Sequence, residues 1–143
     1  MRNQDLSVDY VRRAGARLMA LDVLFGAESW ADVVGESQEV VELALKGLLR
    51  ACGVDPPRVH DVSDVLRLER DRLPAAVLPE VDRLADISRR LRRDRELAFY
   101  GAEDLTPSGF YSRDDAQTAL SAATFVVQVV SPAVIDVPKP LRE

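Results

Sequence analysis

Cysteine and histidine are nearly absent: Cys52 and His60 are the only examples in 143 residues. One thiol cannot form an intrachain disulfide, and no cysteine-based zinc site can be built around it. A free thiol suits a reducing compartment. Long apolar runs are also missing. The longest, Ala14 to Ala27, is interrupted by Arg17 and Asp22 and is too short and too charged to span a bilayer. Residues Met1 to Asp9 mix both signs of charge without an apolar centre, so no secretory signal is read there and a cytoplasmic location without membrane contact is expected. There is no strand-like alternation of useful length and no internal repeat. There is no Gly-rich phosphate loop, no His-Glu-x-x-His and no Gly-x-Ser-x-Gly elbow. Positive charge is in deficit, with 19 Lys and Arg against 24 Asp and Glu, a net −5, which argues against a broadly basic nucleic-acid binder.

The chain has 47% apolar and 30% charged residues, the balance of a globular domain. Its length fits one domain that folds without metals or disulfides. Val11, Ala14, Leu18, Leu21 and Phe25 recur at threes and fours, predicting a helix from Ser7 to Phe25. Val33, Val34, Val40, Val41, Ala44, Leu45, Leu48 and Leu49 predict a second, Trp30 to Ala51, ended by Gly53 and by Pro56 and Pro57. A short third helix is expected to start at Asp61 as N-cap, with Val62, Val65 and Leu66 inward. Leu78, Val81, Leu84, Ala85, Ser88 and Leu91 predict a fourth from Ala75 to Phe99, and Gly101 to Tyr111 reads as a loop. Ser112, with Asp115 three residues on, predicts a capped fifth helix that Pro132 ends. The expectation is all-α: an antiparallel up-and-down bundle of four longer helices plus one short helix over residues 1–131. Residues 132–143 form an extended, proline-containing tail available to a partner.

Four stretches then carry a resemblance. Glu36-Ser37-Gln38-Glu39-Val40-Val41-Glu42-Leu43-Ala44-Leu45-Lys46-Gly47-Leu48-Leu49 resembles the second-helix signature of the HEPN family. Val59-His60-Asp61-Val62 resembles that family's His-Asp-Leu turn. Arg95-Glu96-Leu97-Ala98-Phe99-Tyr100-Gly101 is similar to a stretch of one prokaryotic branch, and Tyr111-Ser112 before an Asp-Ala pair resembles the start of the last helix. The resemblance covers roughly Ser7 to Val130. The resemblance implies a bundle of four to five helices, dimerisation and association with nucleotides or RNA. It also implies, as in several members, pairing with a small nucleotidyltransferase in toxin–antitoxin or regulatory systems.

RNA-cleaving members of the family resemble one another in an Arg followed, four to six residues on, by His. Arg95-x4-Tyr100 has that spacing with tyrosine in place of histidine. Histidine titrates near neutral pH, whereas tyrosine has a reference pKa of about 10. The expected role is therefore a binding module. The nucleotide or RNA contacts would be Arg89, Arg92, Arg93, Arg95 and Tyr100, supported by Glu42, Lys46, His60 and Asp61, with no metal and no cofactor. The arginine cluster reads equally as a solvated helix face with Asp94 and Glu96 as local partners, its repulsion relieved by an anion or by Glu39, Glu42 or Asp61 from neighbouring helices. Glu42 and Lys46 also read as an i,i+4 pair, and His60 reads first as a loop anchor, since no base, nucleophile or metal partner for it stands out in the sequence. Two alternatives stand beside the binding module. One is a metal-independent ribonuclease in which Arg95 steadies phosphorane charge and Tyr100 or His60 moves protons. The other is a protein-interaction domain using its helix faces and the Val134–Val137 tail.

Overall fold

The computed structural model describes residues 3–100 and 106–135, with the side chains of 3, 95–100 and 107 outside that description. Helix α1 spans Asn3–Gly26, α2 Trp30–Ala51, α3 Ser63–Leu68, α4 Val81–Tyr100, α5 Pro107–Phe110 and α6 Arg113–Val134, with 3-10 turns at Arg70–Arg72 and Leu78–Glu80. No strand occurs among the described residues.

Helix α2 is the centre of the fold because its apolar stripe covers about half its circumference. Val33, Val34, Val40, Val41, Ala44, Leu45, Leu48 and Leu49 are all buried, and α2 packs against α1, α6 and α4. Helix α1 also meets α6, α3 lies on α4, and α5 on α4 and α2. Helices α4 and α6 touch each other far less than either touches α2, so a groove opens between them. Helices α1 and α2 run antiparallel: Arg17 reaches Glu36 at one end, while Gly47 lies on Ser7 and Val11 at the other. At Gly47 a Cβ would stand 2.8 Å from Val11 Cγ2 and 3.0 Å from the Ser7 carbonyl, so the absent side chain is what allows the close approach. Where α1, α2 and α6 converge, Phe25 meets Trp30 edge-on at 4.9 Å between centroids, with the Arg113 guanidinium 5.5 Å from the Phe25 ring.

The ends of α2 lie where the sequence places them. Gly53, at φ +78°, is the left-handed residue past the helix; its N–H donates to Arg50 O at 3.1 Å, and Val54 N–H to Leu49 O at 2.9 Å. The start of α6 is as expected too. Asp115 N–H donates to Ser112 Oγ, and Ser112 N–H to Asp115 Oδ2 at 2.9 Å.

Other boundaries differ. Helix α1 starts at Asn3, a turn before Ser7, whose buried hydroxyl donates to Gln4 O at 2.7 Å. Helix α3 starts at Ser63, and Asp61 caps no helix. Its Oδ1 accepts from Ser63 N–H at 2.9 Å, two residues on, which is an Asx-turn. Helix α4 starts at Val81 and not Ala75, because Pro79 sits in a separate 3-10 turn, and Leu78, expected in the core, is exposed. The expected loop holds α5, while residues 101–105 lie outside the described part. Pro132 lies inside α6 and does not end it. Val130 and Val134, a turn apart, are both buried, and that burial offsets the strain of a proline in the last turn. Of the expected tail, residues 136–143 lie outside the described part.

Helix α6 is the one described helix long and apolar enough to cross a membrane, judged by length and composition alone. Its Ala116, Ala119, Ala123, Val126 and Val130 are buried on the side laid against α2 and α1.

Candidate functional site

Glu42 gathers the first group of polar side chains. It is on α2 at the edge of the buried stripe, and its side chain is 13% exposed. Lys46 Nζ, a turn further on, donates to Oε2 at 2.9 Å; Gln38 Nε2, a turn earlier, donates to Oε1 at 3.2 Å. His60 Nδ1 lies 2.7 Å from Oε1. An ionised carboxylate can only accept, so the pair requires the proton on Nδ1 and leaves Nε2 outside this bond. Burial by itself would raise the Glu42 pKa. Hydrogen bonds from Lys46, His60 and Gln38, with the Lys46 charge, outweigh it and hold the group below its ordinary value.

The residue next to His60 serves a different purpose. Asp61 Oδ1 accepts from Ser88 Oγ at 3.0 Å, and Ser88 Oγ in turn accepts from Val62 N–H at 3.1 Å. Ser88 is buried on α4, so this chain of bonds pins the 58–62 segment to α4 and holds His60 beside Glu42. Among the described residues no group of three His, Cys, Asp or Glu side chains is gathered to hold a metal.

The arginines of α4 do not form one cluster. With Leu84, Ser88 and Leu91 facing inward, the 3.6-residue period spreads the others around the rest of the helix. Arg89 and Arg93 are exposed, and Arg93 Nε stands 3.6 Å from Asp94 Oδ1. Arg92 is half-buried. Arg95 and Tyr100 lie in the last turns of α4, their side chains outside the described residues. Arg83 and Arg90 face α6 across the groove, and the Arg83 guanidinium rests 3.6 Å from the Phe125 ring centroid. The structure thus brings Glu42, Lys46 and His60 together, and ties Asp61 to Ser88. Gln38 and the Arg83–Arg90 pair complete these groups and are absent from the sequence-derived set. The signal for both was spacing: Gln38 precedes Glu42 by four residues, and Arg83 precedes Arg90 by seven, two turns on one face.

At the far end of α4, Tyr111 Oη donates to the Asp94 carbonyl at 2.6 Å. Burial, reinforced by the charges of Asp94 and Asp115 and opposed by Arg93, pushes its pKa up to about 12. It is a neutral anchor for the start of α6.

A helical domain whose central helix holds a largely buried Glu–Lys pair, met by a histidine from the following loop, beside a helix crowded with arginine, is the class of protein that these observations define. The family model described as HEPN domain matches residues 7–133, nearly the whole described fold. The chain belongs to the HEPN domain family, a family of nucleotide-related modules, many of them ribonucleases. Comparison with curated proteins and with solved structures finds no match.

Proposed function

We propose that this chain is a nucleotide- or RNA-associated HEPN binding module, working as a homodimer or beside a small nucleotidyltransferase. One observation carries the reading: α4 turns Arg89 and Arg93, one helical turn apart, toward solvent, and among the described residues Arg89 has no acidic partner. Like charges at this spacing repel, and an anionic ligand relieves the repulsion. Arginine suits the task because its planar fork gives paired hydrogen bonds to phosphate and does not deprotonate. Arg92, Arg95 and Tyr100, further along α4, are proposed as additional contacts, and Glu42, Lys46, His60 and Asp61 as supporting residues on α2 and the 58–62 segment.

A thermal-shift screen against mononucleotides, dinucleotides, a short RNA and inorganic phosphate tests the reading. Binding to the native state raises the midpoint by mass action. A rise with nucleotides or RNA that is lost in the Arg89→Glu, Arg93→Glu double variant is the expected result. No rise with any ligand would remove the proposal.

One specific observation favours a second reading, a metal-independent ribonuclease with the degenerate Arg95-x4-Tyr100 site. The 2.7 Å contact of His60 Nδ1 with ionised Glu42 orients the ring as in a base–carboxylate dyad and leaves Nε2 to move a proton. On that reading, expression arrests growth and His60→Asn abolishes the arrest. Harmless overproduction of folded protein counts against it.

A further inference from the structure

The groove between α4 and α6 has two lobes, of about 480 and 260 Å³. Arg90 and Thr118 line both, so they form the waist between them. The larger lobe runs toward Arg83, two turns before Arg90, with Gln117 and Ser121 of α6 facing it. The smaller lobe ends at the Phe110 ring, 41% exposed, beside Asp94 and Asp115.

The charges along this groove are sorted. In the larger lobe the acid is Asp86, and Arg67 of α3 already holds it at 2.9 Å, so it does not compete for Arg90. Among the described residues Arg90 has no acidic partner. In the smaller lobe both titratable groups besides Arg90 and the neutral Tyr111 are carboxylates. Asp115 is engaged by Ser112, and Asp94 stands near Arg93, yet both line the cavity. The result is a cationic waist and an acceptor-rich smaller lobe that the partly exposed Phe110 also lines. Arg90 and Asp94 are one helical turn apart, about 6 Å along the axis.

We propose that this groove is a nucleotide subsite, with a phosphate at the waist and an amine-bearing base in the smaller lobe. The Arg90 guanidinium and the Thr118 hydroxyl donate to the phosphate. The base lies on Phe110, as bases stack on aromatic side chains in single-strand recognition. Its exocyclic amine donates to Asp94 or Asp115, as carboxylates accept from cytosine N4. Uracil presents carbonyl oxygens at that edge and meets repulsion, so adenine and cytosine nucleotides are selected over uracil nucleotides. The inference rests on the nucleotide-associated reading above, and it names a face of α4 other than the Arg89–Arg93 surface.

Calorimetric titration of the full chain with AMP, CMP, UMP and inorganic phosphate tests it. AMP and CMP are expected to bind about tenfold or more tightly than UMP. Arg90→Glu is expected to weaken AMP by about tenfold or more, and Thr118→Val and Phe110→Ala to weaken it by smaller factors. Circular dichroism establishes that each variant is folded. AMP binding that survives Arg90→Glu, or UMP binding equal to AMP, overturns the subsite. If binding survives Arg90→Glu but is lost in the Arg89→Glu, Arg93→Glu variant, the subsite falls and the binding-module reading stands. Failure of the wild-type chain to bind any nucleotide overturns both.

Discussion

Glu42 is a carboxylate removed from most of its water and given three donors in exchange. Its two neighbours on α2 come from the helical period, but His60 comes from a segment held in place by Asp61 and Ser88. Because the net effect lowers its pKa below 4.5, folded Glu42 binds fewer protons than unfolded Glu42 as the pH nears that value. Its stabilisation is therefore complete above the unfolded-state pKa and is lost as the pH falls through the lower folded one. Glu42→Gln should cost about 1–3 kcal/mol at neutral pH, since it removes hydrogen bonds to a charged acceptor and leaves a donor facing donors. The difference from the parent protein should shrink on acidification well below the carboxylate range. Urea unfolding of both proteins at neutral and acid pH measures it, and a gap that does not narrow would assign the effect to packing.

Among the elements, the α1–α2 pair is the most sensitive to a single atom. Gly47→Ala puts a methyl group against Val11 and the Ser7 carbonyl, and backbone cannot rotate aside as a flexible side chain can. The expected destabilisation is about 1–3 kcal/mol, read as a lower denaturation midpoint. Ser112→Ala removes the acceptor for Asp115 N–H at the start of α6 and should cost about 1 kcal/mol in the same measurement. Elements bounded by local chemistry were legible in the sequence. Helix α2 ends at a glycine that adopts the left-handed conformation, and α6 begins at a capping box; both are short-range signals. The start of α4 and the end of α6 were not legible, because each turns on a proline whose effect is set by tertiary packing. Pro79 separates a 3-10 turn from α4, whereas Pro132 is carried through because Val134 is buried beyond it. Helix α5 is a single turn inside a stretch rich in proline, serine and glycine, where periodicity has no length in which to show itself.

At the scale of the whole molecule, α2 touches every other long helix and is the element through which they hold together. The all-helical class and the family were legible because they depend on patterns that run the length of the chain. The candidate site was legible only in part. Glu42, Lys46 and His60 do meet, but the arginines of α4, adjacent in sequence, are divided by the helix among different faces. Which face meets a neighbour depends on where α6 packs, which no local pattern states. With one core centred on α2, unfolding should be a single cooperative event. Helix content followed by circular dichroism and tertiary structure followed by another probe should give superimposable transitions. Transitions that separate would mean that one of α1, α4 or α6 leaves α2 before the rest. Trp30 supplies the second probe. It is the only tryptophan in the chain, and its indole stands against Phe25 at the junction of α1, α2 and α6. Intrinsic fluorescence excited in the indole band therefore reports one known place, the convergence of three helices, and no labelled residue is needed to watch that junction open.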